Sequence, residues 1–256
     1  MTNRGNELVQ AQPASGIAQK LAADGYAIVE ECLDSEVTSW LIKAVESCER
    51  LATNRAIRRR NEVFAVRNLL DVVPEVADIF LLPRVRELLR EVVGPRPFLT
   101  KAILFDKTSS ANWHVNWHQD LSIAGKQRAD MPNWTGWSTK AEVPHVQPPA
   151  EVLEGMVTVR LHLDPCKENC GALKVIPGSH REGRLSVAQV AQLVKDTSFV
   201  TCSVCAGAAV IMKPLLLHAS SPARNAAHRR VLHLEFAPNT LPAPLEWVYG
   251  SIQLDP

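Results

Sequence analysis

The chain has 256 residues, 46% of them hydrophobic, and a formal net charge of +1. That length and apolar content allow a sizeable buried core, while the balanced charge gives no electrostatic reason to expect nucleic acid or a membrane surface as partner. No apolar stretch approaches the ~18 residues that span a bilayer, and the opening Met1-Thr-Asn-Arg-Gly-Asn-Glu7 lacks a signal core, so the expectation is a soluble, cytoplasmic protein.

In chain order, Gly25-Tyr-Ala-Ile-Val29 reads as a short strand. A helix follows, capped by Asp34 or Ser35, with Val37, Leu41, Ile42 and Val45 on one face. The basic run Arg58-Arg59-Arg60 stands beside Glu62 and reads as a solvated face. Val72, Val76, Ile79 and Phe80 lead into a second helical stretch, broken at Pro83, resumed by Val85, Leu88, Leu89 and Val92, and ended by Gly94-Pro95. After Pro97 the texture changes to apolar runs of strand length, at 99–105, 156–163, 172–176, 208–212 and 231–236. In one of them Thr158, Arg160 and His162 alternate with Val157, Val159 and Leu161, the pattern of a half-buried strand. Residues 122–154 are rich in Pro, Trp, Gly and charge without a clear period, and read as a lid.

The expected fold is therefore mainly β with flanking helices, a barrel or sandwich in one domain spanning 1–256. Residues 1–96 act as helical support, and 97–256 form the β core. Six cysteines occur, at 32, 48, 166, 170, 202 and 205. Reduced thiols are the default in a cytosolic chain. Cys202-x-x-Cys205 with Cys166 and Cys170 has the makings of a four-thiolate zinc site, but Cys202 lies in an apolar run where a thiol is an ordinary small hydrophobe.

The chemistry centres on Trp117-His118-Gln119-Asp120. His118 and Asp120, two apart on an extended segment, project to the same side. His218, at the end of the apolar run from Val210, is the best third ligand. Two imidazoles and a carboxylate on one face of an octahedron leave three positions open, the arrangement of non-haem iron(II) oxygenases. Downstream, His218-Ala-Ser-Ser-Pro-Ala-Arg-Asn-Ala-Ala-His-Arg-Arg carries arginines suited to a carboxylate reaching past the metal.

With Asp24-Gly-Tyr-Ala-Ile-Val29, Trp117-His-Gln-Asp120, Leu161-His-Leu-Asp164, Gly171-Ala-Leu-Lys-Val-Ile-Pro-Gly-Ser-His180 and the 218–229 segment, the chain resembles the phytanoyl-CoA dioxygenase family of 2-oxoglutarate-dependent oxygenases. The resemblance implies a double-stranded β-helix, a jelly-roll barrel with N-terminal helices packed outside and the lid at 122–154. It implies Fe(2+), 2-oxoglutarate and O2, with His118, Asp120 and His218 as catalytic iron ligands. It implies Arg229 and Ser220 as anchors of the cosubstrate's far carboxylate, with Gln119 and Trp137 as further cosubstrate or substrate contacts. Arg224 and Arg230 compete with Arg229, but strand alternation sets Arg229, Val231, His233 and Glu235 on the face that can look into the barrel.

The resemblance further implies decarboxylation of the keto acid to succinate, coupled to hydroxylation of a small organic substrate. Halogenation is disfavoured because Asp120 is present. Lys126, Arg128, Lys140, Glu142 and the tryptophans of the lid fit an amphipathic metabolite. His145 is a candidate substrate contact, Asn112 and Thr100 weaker ones, and Glu235 is expected to pair with Arg160. His114 reads as facing solvent, and His180 as turn chemistry. Two other readings remain: a cupin-like metal enzyme without a keto acid, and a silent binding protein of the same fold.

Overall fold

The structure is a computed structural model that describes residues 16–49, 55–59, 62–109, 111–224 and 228–252, without the side chains of 47–49, 58, 59, 62 and 63. The readings of the opening residues, of Cys48 and of the Arg58-Arg59-Arg60 side chains lie outside these. The elements are α1 (Ile17–Asp24), β1 (Tyr26–Val29), α2 (Ser35–Glu49), β2 (Ala56–Arg59), β3 (Glu62–Arg67), α3 (Pro83–Val92), β4 (Phe98–Asp106), β5 (Val115–His118), β6 (Ile123–Ala124), β7 (Thr135–Lys140), β8 (Val143–Gln147), α4 (Ala150–Gly155), β9 (Val157–His162), β10 (Leu173–Val175), α5 (Val187–Asp196), β11 (Val200–Cys202), β12 (Ala209–Met212), β13 (His218–Ser220) and β14 (Arg230–Ala237). No helix among the described residues is long and apolar enough to cross a membrane.

Local chemistry explains the helices. The Asp34 carboxylate accepts from the Val37 N–H at 2.7 Å and caps α2. Residues Pro74–Leu81 coil as a 3-10 helix, and Pro83 then opens α3 at the first position, where its missing N–H costs nothing. The Ser186 hydroxyl and the Gln189 side chain form a capping box on α5.

Seven strands form the larger sheet in the order β1-β12-β9-β14-β4-β3-β2, and four form the smaller in the order β11-β10-β13-β5. The chain is mainly β, a double-stranded β-helix of jelly-roll type with helices outside, as expected. The N-terminal third is more than helical support, because β1, β2 and β3 all join the larger sheet. The stretch at 122–154 is also more than an aperiodic loop: β6, β8 and β7 make a third, antiparallel sheet. Its mixed composition hid the strands because much of β7 is exposed on both faces, so no apolar alternation marks it.

Alternation within strands sorts the interior. Ala209 and Ile211 of β12 join Leu41, Val76, Leu89, Leu234 and Phe236 in the core under the helices. Val210 and Met212 turn the other way, to Leu173, Val175 and Tyr26 between the two large sheets. A strand covered on both faces reads as an unbroken apolar run, as residues 208–212 do. β9 differs: Val157, Val159 and Leu161 enter the helix-side core, while Thr158, Arg160 and His162 are also buried. The polar face of β9 meets the space between the sheets, not solvent, so the half-buried reading is corrected. A polar cavity of about 220 Å³ occupies this end of the sandwich.

Candidate metal centre

The pairing of β13 with β5 sets His218 directly opposite His118, and their rings lie 4.2 Å apart between centroids. Asp120 follows β5, its N–H held by the Pro214 carbonyl at 2.9 Å. His118 Nε2 is 3.7 Å from Asp120 Oδ1, and His218 Nε2 is 3.6 Å from Asp120 Oδ2. These separations are too long for hydrogen bonds, yet one ligand atom from each residue lies within 4.8 Å of the others.

The tautomers are set from behind. His118 Nδ1 lies 2.8 Å from the Asn116 carbonyl, and His218 Nδ1 lies 2.9 Å from the Leu216 carbonyl. A carbonyl only accepts, so Nδ1 carries the proton on both rings and Nε2 keeps its lone pair toward the shared centre. Asp120 Oδ2 is buried without a hydrogen-bond partner. Burial presses its carboxyl upward, but His218, His233, His118 and Lys101 outweigh that and hold it below the usual carboxylate range. Burial lowers His218 to about 4 against the pull of Asp120, so the ring is neutral at pH 7. Two imidazoles with Nε2 turned to one centre and a carboxylate oxygen without a partner suit a divalent metal with open positions. A second possible metal group, Asp120, His233 and Glu235, is less suited, since Glu235 is already committed to Lys101 and His233. Neither group among the described residues includes a cysteine.

Beyond the triad the cavity is strongly cationic. Lys107, Arg160 and Arg229 line it together and are buried. Lys107 Nζ donates to Ser220 Oγ at 2.6 Å and to the Ser221 carbonyl at 2.9 Å, and sits 5.0 Å over the Trp113 ring. Burial, then Arg229 and Arg160, push its ammonium down to about 7. Among the described residues Arg160 bonds only His233 Nδ1, at 2.8 Å, and the Nε atoms of Arg160 and Arg229 are buried without partners. None of the three forms an ion pair among the described residues. A buried cation without a counter-ion is costly, so this corner is built to receive an anion. Gly171 closes it at φ +73, where a Cβ would stand 2.5 Å from the Ser221 carbonyl, so only glycine lets the segment approach this closely.

The family model for phytanoyl-CoA dioxygenase (PhyH) matches residues 21–231. The chain belongs to the phytanoyl-CoA dioxygenase family. Solved structures share the fold. AviO1 from Streptomyces viridochromogenes Tue57 is 23% identical at a TM-score of 0.67, covering 92% of this chain and 100% of its own. EctD from S. alaskensis with bound Fe is 19% identical at 0.69, covering 93% and 83%. SnoK, a non-heme alpha ketoglutarate dependent carbocyclase from nogalamycin biosynthesis, is 14% identical at 0.64, covering 88% and 84%. None of the curated proteins matches the sequence.

The other residues singled out from the family pattern fare unequally. Ser220 lies at the cationic corner beside Lys107. Gln119 is used up by the backbone: its amide donates to the Gly183 and Leu215 carbonyls and accepts from the Leu185 N–H, at 2.7–2.8 Å. It is not among the cavity-lining residues, and neither is Trp137, which packs on a core beside the third sheet with Arg128 over its ring. Asn112 clamps Ala223, and Thr100 donates to the Glu235 carbonyl; both stand outside the lining. His114 is exposed, His180 bonds the Ala22 carbonyl, and His228 pairs with Asp106. His145 is buried and lines the cavity.

Two expectations on β14 separate. Arg229, His233 and Glu235 do line the cavity, while Arg230 faces outward to Asp164 and Glu46. Glu235, however, pairs with Lys101 at 2.7 Å and 2.8 Å, not with Arg160. The register sets Lys101 opposite Glu235 and Arg160 opposite His233. Lys101 and Lys107 were missed, although a signal exists. Lys101, Ile103 and Phe105 of β4 and Lys107 just past its end alternate on one side, and lysines beside so apolar a run mark that side as unusual.

Proposed function

We propose that the chain is an iron(II)- and 2-oxoglutarate-dependent dioxygenase that hydroxylates a small molecule. The balance is substrate C–H plus 2-oxoglutarate plus O2, giving C–OH, succinate and CO2. The observation that carries this reading is the juxtaposition of the His118–Asp120–His218 set with three buried cations that have no ion-pair partner among the described residues, all in one cavity. A cupin-like metal enzyme without a keto acid has no use for that charge, whereas a dicarboxylate with one end at the metal and one at Arg229 neutralises it.

His118, Asp120 and His218 would hold the iron. When bound, it would supply the redox chemistry that couples keto-acid decarboxylation to oxidation of the substrate. Lys107 and Ser220 would hold the far carboxylate with Arg229, the arginine through its planar fork. The backbone bonds to His118 Nδ1 and His218 Nδ1 keep both Nε2 atoms aimed at the metal. Ile103, Phe105 and Leu173 supply apolar wall that thins the water around the reacting carbon. EctD has been solved with 2-oxoglutarate and 5-hydroxyectoine, which supports hydroxylation as the outcome here.

The test is succinate formation from 2-oxoglutarate under air with iron(II), followed by mass analysis of oxidised substrates for one added oxygen. Turnover that depends on iron and keto acid, and is lost in Asp120→Ala, is expected. Keto-acid turnover that survives in Asp120→Ala, or protein that binds neither iron nor keto acid, would overturn the proposal.

A further inference from the structure

The cavity carries more positive charge than the cosubstrate accounts for. Lys101 is neutralised by Glu235, and Asp120 belongs to the metal set. Lys107 and Arg229 are assigned above, with Ser220, to the keto acid's far carboxylate, and Arg160 shares their end of the cavity with its bond to His233 Nδ1. Arg67 and Lys140 remain, both half-buried and both lining the same cavity. Neither has a carboxylate partner among the described residues; the Lys140 ammonium has only the Ser122 hydroxyl, at 3.4 Å.

These two cations are brought together by construction. Arg67 ends β3, opposite Ile103 of β4. Lys140 ends β7, at the tight turn into β8, where Ala141 and Glu142 take left-handed backbone angles. The Asn68 side chain, buried next to Arg67, donates to the Ala141 carbonyl at 3.2 Å and ties the hairpin tip to β3. Like charges are thus held on two sheets around one cavity, where Lys101 and Arg67 repel the Lys140 ammonium and Glu235 and Asp120 only partly offset them. An arrangement that repels itself is stabilised by a bound anion.

The two cationic sites are set apart along the sheet and across it. Lys107, just past β4 with its N–H on the Arg229 carbonyl, is ~13 Å along the chain from Ile103, which lies opposite Arg67; Arg160 shares the row of Arg67 but is three strands away, ~14 Å, with His233 and Ile103 between. Asp120 groups with His233 and Glu235, nearer the Arg67 end. The cavity, about 220 Å³, is smaller than the ~300–1,000 Å³ of ordinary ligand pockets. With a keto acid seated, the remaining room suits a small substrate or the reacting end of a larger one.

We propose that Arg67 and Lys140 form the substrate's anion site, so that the substrate is a small molecule bearing a carboxylate or a phosphate ester. This rests on the functional reading above. The anionic group is gripped between β3 and the hairpin, and the carbon to be oxidised is held over the metal.

The test uses full-length protein loaded anaerobically with iron(II) and saturating 2-oxoglutarate, titrated calorimetrically with methyl phosphate and, separately, with propionate. Saturable binding of one of them is expected, and the one that binds tells phosphate ester from carboxylate. Arg67→Gln and Lys140→Met should each weaken that binding at least tenfold, with 2-oxoglutarate affinity within twofold of wild type. No binding of either probe, or equal binding in both variants, overturns the proposal. So does a loss of 2-oxoglutarate affinity in the variants, which would make these residues cosubstrate ligands. If wild type takes up neither iron nor keto acid, the functional reading fails by itself. Methyl phosphate and propionate titrated into metal-free wild type and Arg67→Gln then decide the anion site alone, with unequal binding supporting it and equal or absent binding ending it.

Discussion

Replacing Lys107 with methionine separates the cost of the cationic corner from its use. The ammonium is fully buried and has no counter-ion among the described residues. Its fall from 10.5 to about 7 means that the protonated form costs the fold on the order of 5 kcal/mol below pH 7. The bonds to Ser220 and Ser221 return about 1 kcal/mol each, so Lys107→Met should stabilise the ligand-free protein by roughly 2–3 kcal/mol at pH 6.5, a rise of about 4–10 °C in Tm. Between about 7 and 10.5 the unfolded lysine binds more proton than the folded one, so wild-type stability should rise with pH across that window. The variant should lose that component of the rise.

Cosubstrate affinity should move the other way. One charge-assisted hydrogen bond is worth about 1.5–3 kcal/mol, which predicts a loss of roughly 10- to 150-fold in 2-oxoglutarate affinity. Scanning calorimetry and titration calorimetry read the two effects. Wild-type binding near pH 8 should also take up a proton, visible as a buffer-dependent heat. A variant that is less stable at pH 6.5, or that binds 2-oxoglutarate as wild type does, would rule out a costly ammonium held for the cosubstrate.

Three further outcomes follow from neighbouring contacts. Arg229→Gln should weaken 2-oxoglutarate binding by at least tenfold without lowering Tm, whereas Arg230→Gln, which loses Asp164 and Glu46, should lower stability by about 2–3 kcal/mol and leave 2-oxoglutarate binding unchanged in titration calorimetry. In Glu235→Gln, Lys101 is left buried without its partner; denaturant titration should show a loss of about 3–5 kcal/mol. Burial raises the Glu235 carboxyl, but Lys101 and His233 hold it below its ordinary value, so its contribution is present above the unfolded carboxylate's range and lost on acidification. In Gln119→Ala, the Leu185 N–H and the Gly183 and Leu215 carbonyls lose their partner, and Tm should fall while the bound-iron content of the folded protein stays near one.

Much of this protein is determined one residue at a time along the chain. The cap at Asp34, the break at Pro83, the strand-length apolar runs and the His118-x-Asp120 spacing are local, so they are legible without knowing what lies across a sheet. Alternation alone sends Arg229, just before β14, and Arg230, its first residue, to opposite sides, because an extended chain's period of two needs no partner. What tertiary structure decided is which residues meet. Glu235 finds Lys101 and not Arg160 because the register of β14 with β4 and β9 chooses the neighbour. Gln119 becomes a backbone clamp because the Gly183–Leu185 turn arrives from 64–66 residues away. The cations of β3, β4, β7 and β9 share one cavity only once three sheets are assembled. Charge in the chain is a sum near zero; its concentration around the metal set is a product of packing, which no single segment contains.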